Sequence, residues 1–140
     1  MAPPSVVGQS LAVRPDAGVP CSIYHLALRD EWQQALDGGV AYRRSTLGKS
    51  LEAEGYIHCS FARQVQAIAD LVYHGRRDVV LLEIDPARVK AEVRVEGPDG
   101  GEQGFPHIYG PLPIEAVVHA SDVPLDTDGR LAVNALLGGG

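Results

Sequence analysis

The sequence predicts an α+β fold with a bent, mostly antiparallel, split sheet and with its helices in the first half of the chain. Short apolar runs of strand length outnumber the segments with helical periodicity, and those helical segments all lie before residue 75. Strands in the majority, with the helices gathered at one end of the chain, favour this class. At 140 residues, 45% of them hydrophobic, the chain has the size of one domain with one core.

The first half of the chain holds the predicted helices and two strands. In chain order we expect a strand, a helix, a short helical turn, a strand and a helix over residues 22–27, 30–37, 46–54, 56–60 and 61–73. The last helix places Val65, Ile68, Ala69 and Val72 at the i, i+3, i+4, i+7 spacing of a buried stripe. Ser60 stands where a residue that caps its first turn is expected. A glycine follows each helical segment, as is common at helix ends.

The second half of the chain is predicted to consist of strands and one long loop. Strands are expected over residues 79–84, 91–96 and 114–120. The first of these is apolar except for Glu83, which predicts a central strand. The second alternates apolar and charged side chains, which predicts a strand with one wet face. The glycine-rich residues 97–106 predict a mobile flap over a binding cleft.

The ends of the chain differ in composition from the middle. Residues 1–20 are rich in proline and lack periodicity, which predicts an extended or disordered leader. We therefore expect a single globular domain over residues 21–121. Residues 122–140 end in three glycines and are expected to form a C-terminal tail.

Charge and hydrophobicity exclude some classes of protein. The net charge of −6 and the pI of about 5.2 disfavour binding to a phosphate backbone, so no nucleic-acid partner is expected. The apolar runs are too short for a transmembrane span, and the N-terminus lacks a signal-peptide pattern. We expect a cytoplasmic protein with a small-molecule ligand and no membrane partner. The oligomeric state stays open.

Histidine and tyrosine occur together at the edges of three apolar runs: Tyr24-His25, Tyr56-Ile57-His58 and His107-Ile108-Tyr109. Residues i and i+2 share a strand face, so each of the last two pairs points the same way. An imidazole beside an aromatic ring suits acid–base work or a planar polar ligand. The alternative is that these are half-buried strand residues. We expect His25, His58 and His107 to converge on one cleft as candidate catalytic residues.

The cysteines and histidines give weaker signals for other chemistry. Two cysteines are too few for a secreted disulfide scaffold. Strand alternation puts Cys59 on the face opposite to His58, which favours a buried structural thiol over a reactive one. The histidines lack the i, i+3 or i+4 spacing of a zinc-binding helix. No metal is expected, and a site built from the three candidate histidines is the alternative.

Three strings occur in a fixed order: IYHLA from residue 23 with Trp32 after it, EGYIHCS from residue 54, and FPHIYGPL from residue 105. In this order they resemble the DUF952 family of small bacterial proteins, over about residues 23–119. The resemblance implies a fold similar to that of the ADP-ribosyltransferases, which clamp NAD in a split antiparallel sheet. It therefore implies NAD as a possible ligand.

The resemblance also implies roles for individual residues. His25 matches the first-strand histidine that binds a ribose hydroxyl, and Tyr56 matches the tyrosine that stacks on nicotinamide. No glutamate lies in a clearly matching context. Glu96 and Glu115 are the candidates for the acid, and His107 is a candidate to stand in its place.

Further ligand-binding candidates complete the predicted site. Ser60 and Tyr109 belong to the same strings, and Arg43 and Arg44 are available for a pyrophosphate. The alternative for the two arginines is a solvated surface loop.

Three functions stay open on the sequence alone. The first is an NAD-type or ADP-ribose-binding protein that transfers ADP-ribose. The second is a non-catalytic ligand-binding module on the same fold. The third is a hydrolase or isomerase that uses a histidine as general base.

Overall fold

The computed structural model describes residues 22–97 and 104–137, and it confirms the predicted α+β class. Its six strands form two three-stranded sheets in which all pairs are antiparallel. The strands are β1 Ile23–Leu28, β2 Ile57–His58, β3 Val79–Ile84, β4 Val93–Glu96, β5 Phe105–Ile108 and β6 Val117–Asp122. The α-helices are α1 Arg29–Gly38, α2 Leu51–Glu54, α3 Ala62–Val72 and α4 Val133–Leu136. Helices α1 to α3 lie in the first half as predicted, whereas α4 follows the last strand.

The two sheets meet at one isolated bridge. Their strand orders are β1-β3-β6 and β2-β5-β4. Tyr24 on β1 and Ser60 after β2 exchange two backbone hydrogen bonds of 2.8 and 2.7 Å. The N-cap residue of α3 is Phe61, so the predicted capping role of Ser60, one residue earlier, was wrong. The carboxamide oxygen of Gln64 accepts from the backbone N–H of Phe61 instead.

Strand β3 is the centre of the first sheet and is buried on both faces. Leu82 and the neighbours that share its face join a cluster with α1 and the second sheet. Leu81, on the opposite face, joins a cluster with α3 and the C-terminal segment. A strand with elements on both faces needs the nearly continuous apolar run that the sequence shows.

The second sheet has one buried face and one wet face. Ile57 on β2 and Ile108 on β5 are Cα partners, and both side chains are fully buried in the first cluster. Side chains alternate across a strand, so His58 and His107 point to the other face. This alternation places the polar side chains of the second sheet together.

The helices end where glycine permits a left-handed backbone. Gly39 after α1 has φ 62°, and its N–H bonds back to the carbonyl oxygens of Ala35 and Leu36. Gly55 after α2 has φ 94°, as its predicted capping role requires. The turn that Gly55 makes delivers Tyr56 to the start of β2.

The structure describes the two ends of the chain and the expected flap only in part. The predicted tail, residues 122–140, is described as far as residue 137, and in that part Val123, Leu131 and Val133 are buried in the second cluster against α3. Their apolar side chains cover the face of β3 that would otherwise meet water. The expected leader over residues 1–20 lies outside the described residues. So do residues 98–103 of the expected flap, and Phe105 and Pro106 belong to β5.

We expect Leu131→Ala to lower the free energy of unfolding by about 2–5 kcal/mol, the usual cost of removing a buried leucine side chain. Leu131 is 1% exposed, whereas Leu136 in the same segment is 39% exposed. Leu136→Ala is therefore the matched control and should cost clearly less. Urea denaturation of both variants measures the difference, and equal losses would contradict a core role for this segment.

Candidate functional site

A cleft of about 390 Å³ opens on the wet face of the second sheet. Strands β2, β5 and β4 and the residues flanking them provide its walls. Its lining is aromatic and titratable: Tyr56, His58, Glu96, Gly97, Phe105 and His107. The volume lies in the range of small-molecule sites.

Strand register brings the cleft side chains together. His107 on β5 is the Cα partner of both His58 on β2 and Arg94 on β4. The ring centroids of His58 and His107 are 5.2 Å apart, and those of His58 and Phe105 are 5.1 Å apart. The middle strand therefore presents His107 at the centre of the site.

Tyr56 stacks on the imidazole of His107. Their ring centroids are 4.1 Å apart and the planes differ by 12°. The ring of Tyr109 also lies close to Tyr56, with the two ring centroids 5.5 Å apart. This packing restricts the orientation of the His107 ring.

Glu96 holds His107 by a hydrogen bond. The Nδ1 of His107 lies 2.9 Å from Oε1 of Glu96, and the same oxygen accepts from the hydroxyl of Tyr109. The hydrogen bonds from Tyr109 and His107 lower the pKa of Glu96, which keeps it ionised. A carboxylate only accepts, so Nδ1 of His107 carries a proton, which in the neutral form of the ring leaves Nε2 unprotonated.

His58 has a different environment from His107. Burial, with a smaller contribution from His107 nearby, lowers the pKa of His58 to about 4. His58 is therefore neutral at neutral pH and supplies a polar, uncharged wall. His107 is the histidine that a carboxylate orients.

His25 does not line the cleft. It is 2% exposed, its Nδ1 donates to the backbone carbonyl of His58 at 2.7 Å, and its Nε2 accepts from the hydroxyl of Tyr42 at 2.9 Å. A carbonyl only accepts, which fixes this neutral tautomer. Its alternation in β1 is in phase with buried Ile23 and Ala27. Two of the three histidines expected in one cleft therefore share it, and the third supports it from behind.

Four other candidates lie away from the cleft. Arg43 and Arg44 line a separate depression, where Arg43 pairs with Glu52. Ser60 is 4% exposed and lines a void of about 10 Å³, too small for a ligand. Glu115 is exposed at a different cavity. The structure therefore groups Tyr56, Tyr109 and Glu96 with His58 and His107, and not these four.

Cys59 is buried, as the alternation predicts. It is 1% exposed, and burial raises the pKa of its thiol. A thiol held neutral in the core is a poor nucleophile.

Residues 22–97 and 104–137 contain neither a cluster of metal ligands nor a helix able to cross a membrane. No group of three or more His, Cys, Asp or Glu side chains in these ranges has the geometry to hold a metal ion. Among the helices of this part, none has the length and apolar character to cross a membrane.

Comparison with known proteins gives one family and one solved relative. The model of a family described as a protein of unknown function, DUF952, matches residues 26–120. The chain belongs to the DUF952 family. It is similar to protein CC0527 from Caulobacter crescentus: the crystal structure has a TM-score of 0.72 and 31% identity, over 83% of this chain and 97% of that chain. The solution NMR structure of CC0527 has a TM-score of 0.69 and 31% identity, over 84% of this chain and 97% of that chain. No curated protein matches the chain.

The predicted DUF952 resemblance is thus confirmed. The strings that carry the resemblance include four residues that line the cleft: Tyr56 and His58 lie in the second string, and Phe105 and His107 lie in the third. The likeness to ADP-ribosyltransferases stays a prediction.

Sequence reasoning missed Phe105, which lines the cleft of this DUF952 protein, and Arg94, which lies against Tyr109. Phe105 precedes His107 by two residues, so strand periodicity already places it on the same face. Arg94 lies on the wet face of β4 with Glu96, and its guanidinium is 4.6 Å from the ring centroid of Tyr109. Pairing β4 with β5 would have identified it, but register across a long loop is not visible in one sequence.

We expect the free energy of unfolding to fall as the pH drops from about 6.5 towards 4. Burial lowers the pKa of His25 in the folded protein to about 4, so the unfolded chain binds more protons between these values. Each such proton gives a slope of up to about 1.4 kcal/mol per pH unit, and stability is fully present above pH 6.5. His58 adds to the slope in the same window.

Urea denaturation between pH 7.5 and 4.5 measures this slope. His25→Gln should be less stable at neutral pH but should show a flatter pH dependence. His119→Gln, which removes an exposed imidazole on β6, is the control. An unchanged slope in His25→Gln would contradict the assignment.

Proposed function

We propose that the cleft is the site of an acid–base reaction on a small molecule, with His107 as general base and Glu96 as its positioning carboxylate. The observation that carries the proposal is the hydrogen bond between Nδ1 of His107 and Oε1 of Glu96. A carboxylate that fixes the tautomer and orients the ring is the usual support of a histidine that moves protons. Hydrolysis and isomerisation are the reaction classes that such a base serves.

Tyr56, His58 and Tyr109 each have a separate role in the proposed reaction. Tyr56 covers one face of the His107 ring and limits its rotation. His58 stays neutral and is available to hydrogen-bond a substrate without attracting a counter-ion. Burial and the bond to Glu96 raise the pKa of Tyr109 to about 12, so its hydroxyl remains a donor to the carboxylate at neutral pH.

We expect His107→Gln to lower turnover by about 10²–10⁴-fold, the usual contribution of a general base. Wild type and variant are assayed on a panel of esters, amides, lactones and enolisable ketones. His119→Gln is the control for loss of a surface imidazole and should keep full turnover. A substrate turned over equally by wild type and His107→Gln would count against the proposal.

Nitrogen-15 NMR tests the same proposal without a substrate. In its neutral form the imidazole of His107 should show a protonated Nδ1 and an unprotonated Nε2. In Glu96→Gln the carboxylate is replaced by a neutral amide, so the bias towards this tautomer should weaken. A wild-type ring protonated on Nε2 alone would exclude its role as base at that nitrogen.

A second candidate function is the binding of a nucleotide such as NAD or ADP-ribose, with or without ADP-ribosyl transfer. The observation that favours it is the row of aromatic rings that lines the cleft, with Tyr56 and Phe105 only partly buried. Flat rings of this kind hold nicotinamide or adenine by stacking. The distance of Arg43 and Arg44 from this cleft means that a pyrophosphate would need other partners.

We expect Tyr56→Ala to weaken nucleotide binding by about 1–3 kcal/mol, the scale of stacking a base on an aromatic ring. Tyr56→Phe keeps the ring and should keep most of the affinity. Calorimetry measures binding, and urea melts show whether each variant is folded. If no nucleotide, dinucleotide or ADP-ribose binds the wild type at millimolar concentration, this second function is excluded. Binding without any transfer or hydrolysis would instead favour a ligand-binding module.

A further inference from the structure

An apolar groove lies beside the cleft and belongs to neither proposed function. It measures about 680 Å³, against about 390 Å³ for the cleft. Its walls come from the end of α1 and the loop after it, from the residue pair before β4, and from the turn after β5. The apolar side chains that form them include Leu36, Val40, Ala91, Tyr109, Pro111 and Ile114. This size and lining are typical of a small-molecule site.

The groove is held open by backbone contacts. Tyr42 and Leu112 exchange two hydrogen bonds of 2.9 Å and tie the loop after α1 to the turn after β5. A Cβ atom on Gly110 would lie 2.6 Å from Cβ of Ala91, so the chain segments meet closely at its floor. The groove therefore exists before any ligand arrives, which lowers the entropic cost of binding.

Two large apolar side chains at the groove are exposed to water. Leu36 is 41% exposed and Val40 is 57% exposed. Leu36 continues the stripe of α1 that buries Trp32 and Ala35, yet it faces the groove and not the core. An apolar ligand would remove both side chains from water.

Tyr109 belongs to the groove and to the reactive cluster at once. Its ring lines the groove, while its hydroxyl donates to Oε1 of Glu96, the oxygen that also holds His107. A molecule in the groove that contacts this ring is therefore one side chain away from the proposed base. The continuity through Tyr109 connects the groove to a reaction in the cleft.

The charged side chains that line the groove have a net charge of zero. Lys90 and Glu115 are the charged residues of its lining, and they have opposite signs. A ligand with a net charge gains attraction from one and repulsion from the other. The lining therefore favours an uncharged ligand.

We propose that the groove binds the apolar body of an uncharged small molecule, whose hydroxyl or carbonyl end lies towards Tyr109, Glu96 and His107. The apolar body is a ring or a short alkyl chain, as the volume requires. This assignment rests on the proposed acid–base function for its link to His107. The affinity of the groove for apolar molecules does not depend on that function.

The test uses the full chain and the straight-chain alcohols from butanol to octanol as probes, followed by NMR titration. We expect the affinity to rise about fourfold per methylene group, as complete burial of each one predicts. The signals of Val40, Ile114 and Tyr109 should shift together, and the imidazole of His107 should shift with them. Shifts confined to Val40 and Ile114 would overturn the link to the cleft.

Matched variants locate the binding. Val40→Asp places a charge in the groove and should weaken octanol binding at least tenfold. Leu71→Asp makes the same kind of change at a residue that is 80% exposed on α3 and outside the groove, and it should leave binding unchanged. Equal affinity in wild type and Val40→Asp would overturn the site. Alkyl carboxylates or alkylammonium ions that bind more tightly than alcohols of equal length would overturn the assignment of an uncharged ligand.

His107→Gln separates the groove from the proposed function. It should keep the same gain of about fourfold in affinity per methylene group as wild type, because the alkyl chain lies in the groove and His107 does not line it. Catalysis that persists in this variant contradicts the acid–base function and leaves the apolar site standing. If catalysis is lost in the variant and wild type binds no alcohol, only the proposal that the groove binds a ligand is overturned.

Discussion

Burial of β3 on both faces is the constraint on which the rest of the structure depends. Residues 79–84 pair with β1 on one side and β6 on the other, so the strand has no free edge. One face needs α1 and the second sheet to cover it, and the other needs α3 and the C-terminal segment. The second sheet is thus held in place by its own buried face, through Ile57 and Ile108. Its other face is left to water and carries the cleft.

The alternation of side chains along the strands, which builds the core, also determines which histidines are buried in it. His25 is in phase with the buried residues of β1, whereas His58 and His107 are out of phase with Ile57 and Ile108. One imidazole therefore becomes a structural group with both nitrogens bonded. The other two become walls of a cleft, and only His107 has a carboxylate to orient it.

The sequence predicted much of the fold because its signals are local. The apolar run at residues 79–84, the stripe of α3 and the glycines after the helices each report on a few neighbouring residues. The sequence named Glu96 as a candidate acid but did not predict its contact with His107, which exists only because β4 pairs with β5. The three-glycine end favoured a tail, whereas Leu131 and Val133 had the hydrophobicity to join the core. The buried position of His25 is also visible locally, since residues i and i+2 share a strand face and His25 lies between apolar Ile23 and Ala27 in that alternation.

The hydrogen bond from His25 to the carbonyl of His58 has an evolutionary consequence. The backbone of His58 is fixed from both sides, since its N–H donates to Oγ of Ser45 while its carbonyl accepts from His25. Tyr42 in turn satisfies the second nitrogen of His25. Replacement of any one of these partners leaves a buried polar atom without a hydrogen bond, which lowers the stability of the fold more than the loss of an exposed hydrogen bond does. Positions 25, 42 and 45 should therefore covary among homologues, although none of these residues lines the cleft.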